Sequence, residues 1–85
     1  MTDLRHQFEQ AAENIHQLGD RPDNETLLKL YALYKQGSEG DLQRTQPGFF
    51  DLVGTAKYEA WMQLHGVAKD EAMQRYIALV NQLLA

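Results

Sequence analysis

The residues best suited to chemistry lie between positions 27 and 35, where Leu27 and Leu28, then Tyr31, then Tyr34 and Lys35 are linked by steps of three and four. On a helix that spacing makes one stripe about 12 Å long at about 1.5 Å per residue, graded from aliphatic through aromatic to cationic. Such a surface suits a ligand that is greasy at one end and phosphorylated at the other. Lys57, with Tyr58 beside it, and Tyr76 add the same residue types from farther along the chain. Leucine and tyrosine at helical spacing equally describe a buried face, with Lys35 extending into water, and periodicity alone does not separate the two readings.

Other combinations offer less. Ser38, the only serine, stands beside Glu39 with no strand-turn-helix context, and reads as a helix-end or turn residue rather than a nucleophile. His6, His16 and His65 lack the spacing of metal ligands. Gly48 to Gly54 imitates a phosphate loop, but no lysine comes directly after Gly54 and no strand precedes it. Adjacent acids such as Asp70 and Glu71 point apart on a helix and face its dipole. The absence of cysteine excludes disulfides, thiolate zinc sites and a cysteine nucleophile together. The expectation is a binding protein, not an enzyme, with no cofactor and no metal.

Four helices must position these residues. From Leu4 to Leu18 the apolar residues Leu4, Phe8, Ala11, Ala12, Ile15 and Leu18 recur at steps of three and four. Thr2 and Asp3 can cap this first helix, and Gly19 is placed to end it in a left-handed conformation. Gly19 to Asp23 is a connector, with Pro22 disfavouring helix before it and Asp23 capping the next helix. This second helix runs from about Asn24 to Gly37, and its apolar positions cover more than one stripe. Ser38 to Asp51 has no helical or alternating period and reads as a long loop, which Phe49 and Phe50 are expected to pin down. A third helix covers about Leu52 to His65 and stops at Gly66; a fourth opens at Lys69-Asp70-Glu71, with only Ala68 as a poor cap.

The 85 residues, 44% hydrophobic and 24% charged, suit one globular domain spanning 1–85 and leave no room for a second core. A formal charge of −4 argues against broad adhesion to nucleic acid or anionic lipid, so any anionic ligand must be held by a local cluster. No apolar run is long enough for stable membrane insertion and no secretory leader is visible, which points to the cytoplasm.

At Tyr31-Ala32-Leu33-Tyr34-Lys35-Gln36, then at Gly40-Asp41 and Pro47-Gly48, the sequence resembles the acyl-CoA-binding protein family. The pattern extends through Phe8, Ala11-Ala12, Arg21-Pro22, Gly54, Ala56-Lys57, Ala60-Trp61, Gly66, Ala72-Met73 and Tyr76-Ile77. The resemblance implies an all-α, up-down-down-up four-helix bundle with a long overhand loop between helices two and three, where the Ser38–Asp51 loop falls. It implies that Tyr31, Lys35 and Lys57 hold the ribose 3′-phosphate of coenzyme A, that Tyr34 stacks on the adenine, and that Tyr76 contacts the nucleotide. Arg21 and His16 would assist the phosphates, and Leu28, Leu27 and Ala12 would line the acyl groove. The implied function is binding, buffering and intracellular transport of medium- to long-chain fatty acyl-CoA by a monomer, with acyl-CoA-using enzymes as possible partners. The alternative is a helical protein-interaction module with no small-molecule ligand, in which Tyr31, Tyr34 and Trp61 are core. Tyr58, Val53, Thr55 and His16 depart from the family's usual tryptophan or basic residues, so local positive charge is thin.

Overall fold

The computed structural model describes residues 3–85, and all regular structure among them is helical: α1 (Leu4–Asn14), continued by a 3₁₀ turn (Ile15–Gln17), α2 (Asn24–Glu39), α3 (Leu52–Met62) and α4 (Lys69–Leu84). Three of the four helices start on an aspartate whose carboxylate accepts a backbone N–H three residues on. Asp3 takes His6 N–H at 2.7 Å, Asp23 takes Thr26 N–H at 2.8 Å and Asp51 takes Gly54 N–H at 2.8 Å. Thr2, the other capping candidate for α1, lies outside the described residues. Ala68 supplies no side-chain cap, and the acids Asp70 and Glu71 in the first turn of α4 offset that lack through the dipole.

The helix ends correct the sequence reading in three places. α1 tightens into the 3₁₀ turn and Leu18 is already extended at φ −66° and ψ 126°, so the chain has left the helix before Gly19, which has no positive φ. α2 continues to Glu39 and ends at Gly40, whose φ of +82° few other residues adopt. α3 ends at Met62, short of the expected His65, and the turns beyond it close on Gly66 at φ +89°.

In the up-down-down-up bundle, α4 packs against α1 and α2, and α2 also carries α3. The principal apolar cluster joins Phe8 and Ala11 of α1 to Leu30 of α2 and to Met73, Tyr76 and Val80 of α4. Gly37 permits this crossing, since a Cβ there would lie 3.0 Å from Phe8 Cζ and 3.1 Å from Met73 Cγ. A second cluster, Ala32, Leu42 and Trp61, fastens α3 and the overhand loop to α2.

The loop is held at its start, not by the phenylalanines. Gln36 is fully buried: its Nε2 donates to Asp41 Oδ1 at 2.9 Å and to the Val67 carbonyl at 2.8 Å, while its Oε1 accepts Trp61 Nε1–H at 3.0 Å. Trp61 Nε1–H is shared with the Gly40 carbonyl at 3.0 Å, and Asp41 Oδ1 also accepts Gly66 N–H at 2.8 Å. This polar knot ties α2, the loop, α3 and the α3–α4 turn together, and every buried side-chain polar atom among the described residues is satisfied. Phe49 and Phe50, by contrast, are 88% and 91% exposed and pack edge to face on each other at 5.1 Å. Leu42 and the Asp41 carboxylate do the work expected of them.

Candidate functional site

α2 forms the floor of three clefts, and the stripe read from the sequence divides among them. Leu27 and Leu28 are successive on a helix and therefore about 100° apart, so they serve different sides. Leu28 lines the largest cleft, about 560 Å³, with Ala32 and Leu33 of α2 and Ala56, Ala60 and Leu64 from α3 and its exit. Leu27 lines a cleft of about 350 Å³ with Ile15, His16, Leu30, Tyr34 and Tyr76. The single greasy end expected of the stripe is thus two walls. Ala12 is half-buried and packs against the Phe8–Tyr76 cluster.

Tyr31 belongs both to the Leu27 cleft and to a smaller one of about 180 Å³ beneath the overhand loop, lined also by Leu42, Arg44, Lys57 and Trp61. Lys57 reaches from α3 to place its Nζ 5.2 Å from the centre of the Tyr31 ring, and Lys35 places its own 5.9 Å from the same ring. Residues 26 positions apart at the extremes are thereby gathered around one phenol. Two ammonium groups and a hydroxyl so arranged can hold a phosphate by charge-assisted hydrogen bonds.

Tyr34 is 39% exposed and stacks on Phe8, ring centres 5.1 Å apart and planes at 22°. Tyr76 meets both rings edge-on, at 5.2 Å from Phe8 and 5.7 Å from Tyr34. Burial, and then the neighbouring Tyr34, raise the Tyr76 phenol above its ordinary pKa, so it remains a neutral hydrogen-bonding group. Tyr34, backed by buried Phe8, is the ring of the three that reaches solvent, and its exposed side at the edge of the Leu27 cleft is a surface on which a planar base can stack. His16 lines the same cleft and is exposed. Arg21 is exposed beside Pro22 of that cleft, and its guanidinium approaches Asn24 Oδ1 at 3.4 Å.

Three further participants lie outside the stripe. Trp61 has Lys35 Nζ 5.8 Å and Arg44 Cζ 5.4 Å from its ring centre. Glu39 accepts from Lys35 Nζ at 3.0 Å and from Arg44 Nη2 at 3.3 Å. The Lys35 hydrogen bond, then the charges of Lys35 and Arg44, hold the Glu39 carboxyl below its usual range. The i to i+4 interval from Lys35 to Glu39 is a signal that could find the acid, whereas Arg44 comes from an aperiodic loop. Ser38 Oγ donates to the Tyr34 carbonyl at 2.7 Å, a back-bond within the last turn of α2, and no group of three potential metal ligands occurs among the described residues.

Residues 5–80 match the family model described as Acyl CoA binding protein. The chain is 50% identical over 78 residues to acyl-CoA-binding protein homolog 1 of Caenorhabditis elegans, covering 92% of this chain and 91% of that protein. It is 46% identical over 83 residues to the acyl-CoA-binding protein homolog of Manduca sexta, covering 96% and 92%. Among solved structures, the crystal structure of Oryza sativa acyl-CoA-binding protein 2 superposes with a TM-score of 0.92 at 43% identity, over 96% of this chain and 91% of that one.

Proposed function

The chain belongs to the acyl-CoA-binding protein family, and we propose that residues 1–85 act as one domain that binds, buffers and transports medium- to long-chain fatty acyl-CoA esters. The observation that carries this reading is the convergence of Lys35 and Lys57 on the Tyr31 ring, between a cleft edged by exposed Tyr34 and one beside the apolar wall of α3. In this reading Tyr31, Lys35 and Lys57 hold the ribose 3′-phosphate. Tyr34 stacks on the adenine against its Phe8 backing, and Tyr76 hydrogen-bonds the nucleotide. His16 and Arg21 stand by for the remaining phosphates.

The acyl chain runs from the Tyr31 locus along Leu28 toward Ala56, Ala60 and Leu64, with Leu27 closing the nucleotide side. Ala12 contributes through packing against the Phe8–Tyr76 cluster rather than as a wall of the large cleft. The protein holds its ligand without altering it: binding excludes water from the thioester and delivers it to acyl-CoA-using enzymes. The setting proposed is cytoplasmic and monomeric; no helix among the described residues is long and apolar enough to cross a membrane. A helix-binding module without a small ligand is not favoured, given relatives that carry acyl-CoA-binding names along nearly their whole length.

Burial is worth about 0.8 kcal/mol per methylene, so about two methylenes change affinity tenfold, while each charge-assisted phosphate contact contributes roughly 1.5–3 kcal/mol. Calorimetry with coenzyme A and its palmitoyl ester tests the reading. One-to-one binding is expected, far tighter for the ester; equal affinity for both overturns it.

A further inference from the structure

The cation cluster contains its own anion. Glu39 ends α2, where the helix dipole disfavours a carboxylate, and it comes after Lys35 in the weaker order of an i to i+4 pair. Helix stability therefore gives little reason for an acid at this position. Its carboxylate nevertheless bridges two cations from different elements, Lys35 of α2 at 3.0 Å and Arg44 of the overhand loop at 3.3 Å. Both cations stand over one indole, 5.8 and 5.4 Å from its centre, and that ring is immobilised because its N–H is held by Gln36 and Gly40. Arg44 also lines the same small cleft as Lys57 and Tyr31.

We propose that Glu39 is a built-in counter-ion of the phosphate site and Arg44 its third cation, so that the ligand's terminal phosphate binds by exchange with the Glu39 carboxylate. The inference rests on the acyl-CoA reading for the identity of the anion. In the unliganded protein Glu39 pairs with both Lys35 and Arg44 and cancels one of their two charges, while Lys57 stands over Tyr31. An arriving phosphate dianion contacts Lys57 and Tyr31 first and competes with one carboxylate for the other two cations. A dianion with three acceptor oxygens outcompetes a monoanion for two donors. The displaced carboxylate is 43% exposed and turns into water without a burial penalty. Because Glu39 stays ionised across the neutral range, the competition is present at every physiological pH. The device sets affinity: it weakens every anion that must displace the carboxylate, and a monoanion more than a dianion.

Calorimetry on Glu39→Gln, Arg44→Gln and the double variant, with palmitoyl-CoA and its 3′-dephospho analogue, tests the exchange. Glu39→Gln is expected to tighten binding of palmitoyl-CoA about three- to tenfold, the worth of two exposed ion pairs. The dephospho analogue is expected to gain less than about twofold. Arg44→Gln weakens palmitoyl-CoA binding, and in its background the Glu39→Gln gain shrinks. A structural role for Glu39 would move the melting temperature without distinguishing the two ligands. Wild-type protein that binds neither ester overturns the acyl-CoA reading itself. If wild-type protein binds palmitoyl-CoA but Glu39→Gln binds no tighter, or gains equally for both ligands, the exchange is refuted; Arg44→Gln binding like wild type removes Arg44 from the site.

Discussion

Replacing Gln36 by glutamate changes one NH₂ group to oxygen and tests whether the polar knot holds the bundle together. In the native protein that nitrogen donates at 2.9 Å to Asp41 and at 2.8 Å to the Val67 carbonyl, from a side chain with no exposed surface. The substitution turns both contacts into oxygen facing oxygen, one of them a carboxylate. Leaving buried groups unpaired costs about 1–3 kcal/mol each, and an uncompensated buried charge about 3–5, so Gln36→Glu is expected to lose about 3–5 kcal/mol at pH 8. That is much of the roughly 5–10 kcal/mol available to a small domain. Gln36→Met is the control. It keeps the volume, Trp61 N–H retains the Gly40 carbonyl, Asp41 loses the Gln36 donor but retains Gly66 N–H, and the Val67 carbonyl loses its side-chain donor, for about 1–2 kcal/mol.

Burial and the facing carboxylate raise the new carboxyl's pKa in the folded state. Its protonated form is favoured there, so the deficit against wild type is smallest below the unfolded pKa of about 4.3 and grows as pH rises through the raised value. Urea unfolding monitored by far-ultraviolet circular dichroism at pH 5 and pH 8 measures both effects. A Gln36→Glu midpoint equal to that of wild type at pH 8, or a deficit that widens on going to pH 5, would refute the reasoning.

Lys35→Ala and Lys57→Ala are each expected to weaken acyl-CoA binding by about tenfold or more with stability within about 0.5 kcal/mol of wild type; calorimetry paired with thermal melts checks this, and unchanged affinity in both removes the phosphate site. Phe49→Ser and Phe50→Ser are expected to shift stability by less than about 0.5 kcal/mol because neither ring is covered, and a loss above about 2 kcal/mol in urea titration would restore the pinning role. Gly37→Val is expected to cost more than about 2 kcal/mol by driving atoms into Phe8 and Met73, measured by the same titration. Asp41 is held below its ordinary pKa first by Gly66 N–H and then by Gln36, so its contribution is full above about pH 4 and lost as pH falls through the lowered value. Asp41→Asn should therefore flatten the acid limb of the stability profile, and an unchanged limb would contradict this.

Much of the fold is written in local signals. Asp3 and Asp23 are legible as caps because capping is settled within four residues, and α2 and α4 show in the three-four spacing of their apolar residues. The features that escape such signals involve partners distant in sequence. Gln36 looks like an ordinary polar helix position, and nothing near it announces that Trp61 and Val67, 25 and 31 residues away, will satisfy it. Hydrophobicity assigns burial to Phe49 and Phe50, yet Leu42 and Asp41 reach the α2–α3 seam first and leave the loop tip facing water. At the candidate site, the stripe foretells Tyr31, Tyr34 and Lys35 as neighbours; Lys57 shows in the sequence as a further cation beside Tyr58, and only the family resemblance joins it to them. The division between Leu27 and Leu28 arises from helix geometry that a sum of three- and four-residue steps conceals. Arg44 sits in an aperiodic loop and carries no signal beyond its charge.

The knot also separates events in time. Helical turns in this bundle close over four residues, but Trp61 must find Gln36 across 25 positions and Gln36 must find Val67 across 31. Loop-closure entropy must be overcome before those contacts repay it, so they form after the helices have paired, on the native side of the folding barrier. Stopped-flow chevrons of Gln36→Met are therefore expected to show an accelerated unfolding limb and a nearly unchanged refolding limb. In a protein of this size the same few bonds then govern how long the native state lasts once formed, more than how quickly it is reached.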